Sequence, residues 1–261
     1  SRFWYYDLVF DGEPFLRLSA LLSLWMGKAR VGFDHDIRRM TYNITSQHQR
    51  NRHMVENYLA MAQRFGIVGP SIKQLVPLEV RKQDAELVQG LLSQAGISND
   101  DFLVVMAPNV GAEGKTRLWS PQKWAALAEH LYRTYDAKIV FTGVKSDKEY
   151  VKQTMAGQKI PYLDLCGETT LRQTIALVSV AKLVISLDAG IMHISAAQGT
   201  PTIGLFGPNV PSLWAPLGEK CRSIYHPLSC SPCINNRTGY IPDCLRITDR
   251  YLCMRSITVE E

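Results

Sequence analysis

The chain has 261 residues, of which 46% are hydrophobic and 20% are charged, a composition typical of a globular protein with a sizeable core. Its longest apolar run, residues 18–26, is far shorter than the roughly twenty residues that a membrane span requires, and no secretory-signal pattern begins the chain. The net charge of +5 favours an acidic partner, yet the basic residues form neither a dense stripe nor a nucleic-acid-binding motif. We therefore expect a cytoplasmic protein whose partner is not a nucleic acid.

The first 80 residues predict a partial α/β domain, and residues 81–101 predict a connector. Apolar residues recur at helical spacing from Val55 to Phe65, which predicts a helix with one buried face. The connector pattern is an amphipathic helix that ends at Gly96 and is followed by a turn. The predicted elements are a strand at 6–10, a helix at 15–26, a strand at 29–33, a helix at about 54–65 and the connector helix at 82–94.

Residues 102–261 predict a second α/β domain. Ser120 is a preferred helix cap and Pro121 a preferred first helical residue. Apolar strands that alternate with helices imply a doubly wound parallel sheet with right-handed crossovers, in which ligands bind at the carboxyl ends of the strands. The strands are predicted at 102–107, 137–142, 162–165, 183–187 and 202–206, and the helices at about 121–134, 147–156, 170–180 and 191–198.

Residues 186–208, SLDAGIMHISAAQGTPTIGLFGP, predict an anion site. A buried strand runs into Asp188 and Gly190 and then directly into a short helix that ends near Gly199. We expect Gly190 to free the backbone for the turn. The start of such a helix presents backbone N–H groups and a positive dipole end, which favour a phosphate.

The same residues, with Asp188, Gly190 and His193 followed by G-T-P-T-x-x-L-F-G-P, resemble the signature of glycosyltransferase family 9, the lipopolysaccharide heptosyltransferases. A second block at 107–131, APNVGAEGKTRLWSPQKWAALAEHL, resembles the family's strand, glycine-containing loop, basic residue and helix. Weaker similarity covers residues 53–67 and 225–257. The resemblance implies a GT-B fold, with a doubly wound C-terminal domain at 102–261 for the nucleotide sugar and a partial acceptor-side domain at 1–80.

The resemblance implies an inverting transfer of heptose from ADP-heptose to a lipopolysaccharide core acceptor, without a metal ion or other cofactor. The location it implies is the cytoplasmic face of the membrane, with peripheral membrane contact. Two alternatives are the same fold with another nucleotide sugar and a non-catalytic nucleotide-binding relative. A dinucleotide oxidoreductase is disfavoured, because no G-x-G-x-x-G follows a strand.

The family's first strand and its general-base carboxylate would lie before Ser1, and its last helix would continue beyond Glu261. The resemblance therefore implies a chain truncated at both ends, and we expect it to bind donor but to turn over poorly. Asp11 is a substitute base by location, but a residue that simply ends its strand fits the sequence as well.

A departing diphosphate is stabilised by helix N-termini and cations when no metal is present. The resemblance implies that Asp188 and the N–H groups of Ala189 and Gly190 hold the donor's phosphates or heptose hydroxyls. It places His193 beside the diphosphate, and Arg117 stands where the family usually has a lysine. Lys115 is the alternative cation, Asn109 begins the same loop, and Met192 is expected to pack. The residues alone allow other roles: Asp188 as a helix cap, His193 as a half-buried helix residue, and Arg117 and Lys115 as solvated cations.

Other charged residues are candidates for sugar contacts. Arg38 and Arg39, with Arg50 and Arg52, either meet the acidic acceptor or lie in a solvated loop. Asp147 or Glu149 either contacts the donor ribose or is solvated at the surface.

Four cysteines form the pattern Cys230-x-x-Cys233, Cys244 and Cys253. A tetrahedral zinc site is one interpretation, although the last two cysteines lie farther apart than in most zinc modules. Reduced packing cysteines or a disulfide are the alternatives, and we expect no metal. Cys166 and Cys221 are expected to be structural.

Overall fold

A computed structural model describes residues 5–67, 72, 74–108, 112–234 and 243–261. These residues form two compact units. The first unit contains the described residues up to Ile72 together with residues 212–214 and Ile234, and the second unit contains the rest. The finer division into 1–80, 81–101 and 102–261 stays a prediction.

The first unit is built on a three-stranded parallel sheet in the order β1-β2-β3. Its core joins Val31 and Phe33 of β2 to Met54 and Met61 of the helix that follows the sheet. The strand β3 was not predicted, because three residues within a polar loop carry no local pattern of their own. The elements are β1 (Tyr6–Phe10), α1 (Arg17–Met26), β2 (Gly27–Phe33), a 3₁₀ turn (Asp36–Thr41), β3 (Ile44–Ser46) and α2 (Met54–Gln63).

One face of α1 is apolar and open to solvent. Leu18, Leu21, Leu22 and Trp25 follow helical spacing, and their exposed fractions lie between 51% and 77%. The opposite face is the packed one, where Ala20 and Ser23 are buried. We call the four exposed side chains the α1 stripe.

The second unit contains a six-stranded parallel sheet in the order β6-β5-β4-β7-β8-β9, which confirms the predicted doubly wound fold. The sixth strand, β9, was not predicted, because its sequence CRSIY alternates polar and apolar residues at the sheet edge. The strands are β4 (Leu103–Ala107), β5 (Lys138–Phe141), β6 (Tyr162–Asp164), β7 (Leu183–Leu187), β8 (Thr202–Phe206) and β9 (Cys221–Tyr225).

Helices cover both faces of this sheet. In β4, Val104 and Met106 pack in one apolar cluster, whereas Leu103 and Val105 pack in the other. The hydroxyl of Ser120 accepts a hydrogen bond from the Lys123 N–H at 3.2 Å, as its predicted capping role requires. The helices are α3 (Lys82–Gln94), α4 (Pro121–Tyr135), α5 (Lys148–Met155), α6 (Leu171–Val180), α7 (Gly190–Ala197) and α9 (Leu252–Arg255), and α8 (Pro211–Trp214) contributes residues 212–214 to the first unit.

The strand order reverses between β4 and β7. The chain first moves outward from β4 to β5 and β6, and then returns to the other side of β4 for β7, β8 and β9. The helices that follow β4 and β7 therefore lie on opposite faces of the sheet, and such a switch point is where doubly wound sheets bind ligands. Within the described ranges, no helix has the length and apolar character needed to cross a membrane.

Candidate functional site

The candidate site lies where β7 ends and α7 begins. Asp188 directly follows β7, and Ala189 is the helix cap in an extended conformation, with φ −149° and ψ 166°. Ala189 makes no side-chain cap hydrogen bond, so among the described residues the cap position belongs to Ala189 and not to Asp188. The first N–H groups of a helix have no partner within the helix, so those of the first turn of α7 can donate to a ligand.

Asp188 is held by two side chains from neighbouring loops. It is only 7% exposed, and its Oδ2 accepts a hydrogen bond from Asn209 Nδ2 at 2.9 Å. Arg117 Nη1 donates to the Asp188 carbonyl oxygen at 2.9 Å, and Arg117 Nε lies 3.7 Å from Oδ2. The loops after β4, β7 and β8 thus meet at one polar cluster, with a cation at its centre.

Arg117 Nε forms an ion pair with Asp188 but makes no hydrogen bond to a described residue. The 3.7 Å separation exceeds hydrogen-bonding distance, and Nε is buried without a hydrogen-bond partner among the described residues. The Arg117 side chain is 19% exposed, so it reaches solvent at the edge of the sheet. Of the two predicted cations, Arg117 is therefore the one built into the cluster, whereas Lys115 is exposed.

Asn209 was missed by sequence reasoning. It is 4% exposed and lies three residues after β8, the strand that pairs with β7. Its position at the carboxyl end of the neighbouring parallel strand is a signal that could have found it. Its amide fixes the carboxylate of Asp188 against rotation.

The structure corrects the expected role of Gly190. The residue starts α7 one position earlier than predicted, and its φ is not in the left-handed region, so the turn does not require glycine. A Cβ at Gly190 would meet no atom of the described residues within 4 Å. What glycine provides here is open space above the first turn of the helix.

The other predicted donor residues lie around this turn or outside the described residues. His193 is half-buried on α7, and Met192 is fully buried, in agreement with its predicted packing role. Asn109 lies outside the residues that the structure describes. Donor binding by each of these residues stays a prediction.

The two acids suggested for ribose contact differ in their surroundings. Asp147 is 4% exposed, and its carboxylate accepts a hydrogen bond from the Val144 N–H at 2.8 Å, so the alternative of a solvated residue is wrong for it. Glu149 accepts a hydrogen bond from Gln153 at 3.0 Å along α5.

The predicted acceptor residues Arg38 and Arg39 separate in the structure. Arg38 is 2% exposed, and its Nη2 lies 3.0 Å from Asp11 Oδ2, so the alternative of a solvated loop residue is wrong for Arg38. Arg39 is exposed, and its Nε lies 3.7 Å from Asp34 Oδ1. Arg39 is therefore accessible to a ligand, whereas the guanidinium of Arg38 is buried and bonded to Asp11 inside the first unit. Acceptor binding by either residue stays a prediction.

Asp11 is the centre of a buried polar network. Its Oδ2 accepts hydrogen bonds from Tyr42 Oη at 2.6 Å and from Ser19 Oγ at 2.9 Å, in addition to Arg38. Burial and the neighbouring carboxylate raise the pKa of Tyr42 to about 12. Three donors satisfy this buried carboxylate, so the network stabilises the first unit.

Among the described residues, the cysteines of the C-terminal region are thiols and form no disulfide. Burial raises the pKa of Cys253 to about 11, with smaller contributions from Cys233, Cys244 and Cys230, so the four thiols lie near one another. Among the described residues, no group of three or more histidine, cysteine, aspartate or glutamate side chains is arranged to hold a metal ion. The zinc interpretation and its alternatives stay predictions. Cys166 and Cys221 are buried.

Comparison with known proteins finds one family and several similar proteins. The family model described as glycosyltransferase family 9 (heptosyltransferase) matches residues 4–240. Lipopolysaccharide heptosyltransferase 2 of Escherichia coli K12 is 29% identical over 209 residues, which cover 77% of this chain. The chain spans 57% of the length of that relative.

Solved structures share the fold. The structure of E. coli ADP-heptose lps heptosyltransferase II aligns with a TM-score of 0.73 and 22% identity, covering 98% of this chain and 73% of that one. A glycosyltransferase family 9 structure from Veillonella parvula aligns with a TM-score of 0.77 and 22% identity, covering 97% of this chain and 70% of that one. At this identity the likeness establishes the fold.

Proposed function

Because this chain belongs to glycosyltransferase family 9, we propose that it serves the transfer of heptose from ADP-heptose to a lipopolysaccharide core acceptor, with inversion and without a metal ion. The names of the relatives support this choice, since one is a lipopolysaccharide heptosyltransferase and one similar structure is an ADP-heptose heptosyltransferase. We place the reaction in the cytoplasm at the inner face of the membrane, where such an acceptor would be reached.

The observation that carries the proposal is the position of Arg117 beside the start of α7. Its guanidinium is anchored to the Asp188 carbonyl at the switch point of the sheet. A pyrophosphate bound there would receive hydrogen bonds from backbone N–H groups and from a fixed cation, the two means by which a departing diphosphate is stabilised without a metal.

The remaining groups fit roles in holding the sugar. Asp188 presents a carboxylate whose Oδ2 is already bound to Asn209, so it is oriented to accept hydroxyl hydrogen bonds. The open space at Gly190 allows a ligand to approach the backbone closely. His193 lies one helical turn further along α7.

Parallel titrations with ADP-heptose, UDP-GlcNAc and NAD test the proposal, with heat release as the measured quantity. We expect ADP-heptose to bind tightest. Tighter UDP-GlcNAc binding would favour another nucleotide sugar, and tightest binding of NAD would overturn the proposal in favour of a dinucleotide site. A transfer assay with a lipopolysaccharide acceptor then separates a transferase from a non-catalytic binding protein.

A further inference from the structure

We propose that Trp119 is a positioning residue for the donor site, because its indole holds the loop after β4 in the conformation that brings Arg117 to the start of α7. The role rests on the proposed function, in which Arg117 meets the donor phosphates. Trp119 is itself only 2% exposed, so it acts through Arg117 and not by contact with a ligand.

The position of Arg117 depends on the backbone of its loop. Arg117 ends a short 3₁₀ turn, Ala112–Arg117, and turns of this kind have weak internal hydrogen bonds. Its long side chain reaches the Asp188 carbonyl at 2.9 Å. A shift of the loop by one or two ångströms would break that bond, so the loop requires a firm attachment near Arg117. Trp119 lies two residues further along the chain.

Trp119 is held at its ring, its indole nitrogen and its backbone. The ring packs edge-to-face on Trp124 of α4, with 5.2 Å between ring centroids and an angle of 85°. The indole Nε1 donates a hydrogen bond to the Ile257 carbonyl oxygen at 3.1 Å, and the Tyr150 hydroxyl of α5 donates to the Trp119 carbonyl oxygen at 2.7 Å. Three separate parts of the second unit therefore fix this one residue.

The Ile257 carbonyl also receives a second donor. Lys123, in the first turn of α4, donates from Nζ to the carbonyl oxygens of Ile257 and, at 2.5 Å, of Arg255. The same ammonium group lies 5.8 Å from the centroid of the Trp119 ring, within the range of a cation–π contact. The start of α4, the indole and the C-terminal segment are thus joined around one carbonyl group.

The C-terminal segment is attached to the sheet in turn. His226 directly follows β9, and its Nδ1 lies 2.9 Å from Ser256 Oγ. Its Nε2 lies 2.7 Å from Glu261 Oε1. These two contacts flank Ile257, whose side chain is fully buried. The acceptor of the Trp119 indole therefore belongs to a segment that is itself fixed.

Trp119 also packs with the strand that leads into the site. Trp119 and Ile257 belong to one apolar cluster with Met106 of β4 and Leu187 of β7. Leu187 immediately precedes Asp188, the residue that Arg117 contacts. The indole therefore sets the loop against the same strand end that carries the proposed phosphate site.

Trp119→Phe removes the indole N–H and keeps an aromatic ring. We expect the dissociation constant for ADP to rise about fivefold in isothermal titration calorimetry, since one hydrogen bond of ordinary strength shifts the loop equilibrium by about that factor. In the Arg117→Gln background the same substitution should change ADP affinity by less than about 1.5-fold, because an effect transmitted through Arg117 is absent once the guanidinium is gone.

The Arg117 side chain provides a spectroscopic readout that requires no ligand. Its Nε is buried, so its N–H signal should be sharp in proton–nitrogen correlation spectra of the wild type, where its loss in Arg117→Gln assigns it. We expect Trp119→Phe to broaden or remove this signal, because the guanidinium then samples several positions. A residue that only stabilised the fold would leave the signal of the folded protein unchanged.

A milder variant and a matched control accompany Trp119→Phe. Tyr150→Phe removes the hydroxyl that donates to the Trp119 backbone, and should weaken ADP about two- to threefold without a large loss of stability. Thr200→Val is the control, since Thr200 is 4% exposed and its Oγ1 donates to the Val178 carbonyl at 2.7 Å, at the amino end of β8. Its ADP affinity should stay within about twofold of the wild type.

Four results would overturn the role of Trp119. They are unchanged ADP affinity in both phenylalanine variants, an equal loss in Thr200→Val, the same loss with and without Arg117, and an unchanged Arg117 Nε signal in Trp119→Phe. A wild-type chain that does not bind ADP would reject the proposed function, while the spectra would still decide the positioning role. ADP binding that depends on Arg117 but not on Trp119 would reject only this inference.

Discussion

Substitution of Arg117 by glutamine tests the centre of the donor site. The guanidinium makes one charge-assisted hydrogen bond to the Asp188 carbonyl at 2.9 Å, and the proposed function has the same group face the donor pyrophosphate. Loss of one charge-assisted bond to a phosphate costs about 1.5–3 kcal/mol, so the dissociation constant for ADP should rise about 10- to 150-fold. Isothermal titration calorimetry measures this change directly.

The same substitution has a second cost that must be separated from binding. The Asp188 side chain is only 9% exposed beside Arg117, so loss of the guanidinium leaves a largely buried carboxylate with Asn209 as its described side-chain donor. This should lower the unfolding free energy by about 1–3 kcal/mol. For a unit of this size the thermal midpoint would fall by roughly 2–4 °C per kcal/mol, so the titration is made well below it. Arg117→Lys retains the charge and should bind ADP with an intermediate affinity.

Lys115→Gln is the matched control for Arg117→Gln. It removes the same charge from the same loop, but the Lys115 side chain is exposed. We expect its ADP affinity to stay within about twofold, since distant exposed charges are screened by salt. Normal ADP binding by Arg117→Gln, or an equal loss in both variants, would refute the assignment of Arg117 to the phosphate.

Three further predictions concern the described residues. Asn209→Asp places a second carboxylate beside Asp188, and two like charges repel when both are ionised. The thermal midpoint of this variant should therefore fall further below the wild-type value at pH 8 than at pH 5. A loss that is independent of pH would contradict this. In Gly204→Ala the new Cβ would lie 2.4 Å from the sulfur of Met192, so the free energy of unfolding in urea should fall by about 1–3 kcal/mol. Gly190→Ala should keep the stability of the wild type but bind ADP more weakly. Unchanged ADP affinity in Gly190→Ala would exclude a close backbone approach. The pKa of Tyr42 is raised to about 12 from 10.0, so its stabilising contribution is complete below pH 10 and is lost as pH rises through 12. Tyr42→Phe should abolish that part of the alkaline decline in thermal midpoint.

Local patterns were sufficient for the elements that bury apolar side chains. The strand at Leu183–Leu187 and the helix at Lys82–Gln94 begin and end where the sequence predicts, because apolar runs and flanking glycines mark their limits. The edge strand Cys221–Tyr225 was missed because it is only partly buried, and its pairing with β8 is a long-range contact. The turn after β7, which is predicted to bind an anion, was also accessible to the sequence, because its strand, turn and helix follow one another directly along the chain.

Contacts between distant residues were beyond the sequence. Arg38 resembles a solvated loop cation in isolation, yet its partner Asp11 lies 27 residues away and buries it. Asn209 approaches Asp188 only because β8 pairs with β7 in parallel. In both cases the decisive interaction is set by the sheet, so no spacing rule along the chain predicts it.

The α1 stripe has a consequence for how the folding of the first unit is measured. Four large apolar side chains in water raise the free energy of the folded state, and any surface that covers them would recover that cost at about 25 cal/mol per Å². Any molecule that bound the folded unit through the stripe would therefore raise its unfolding free energy, so a measured value would depend on the concentration of that molecule.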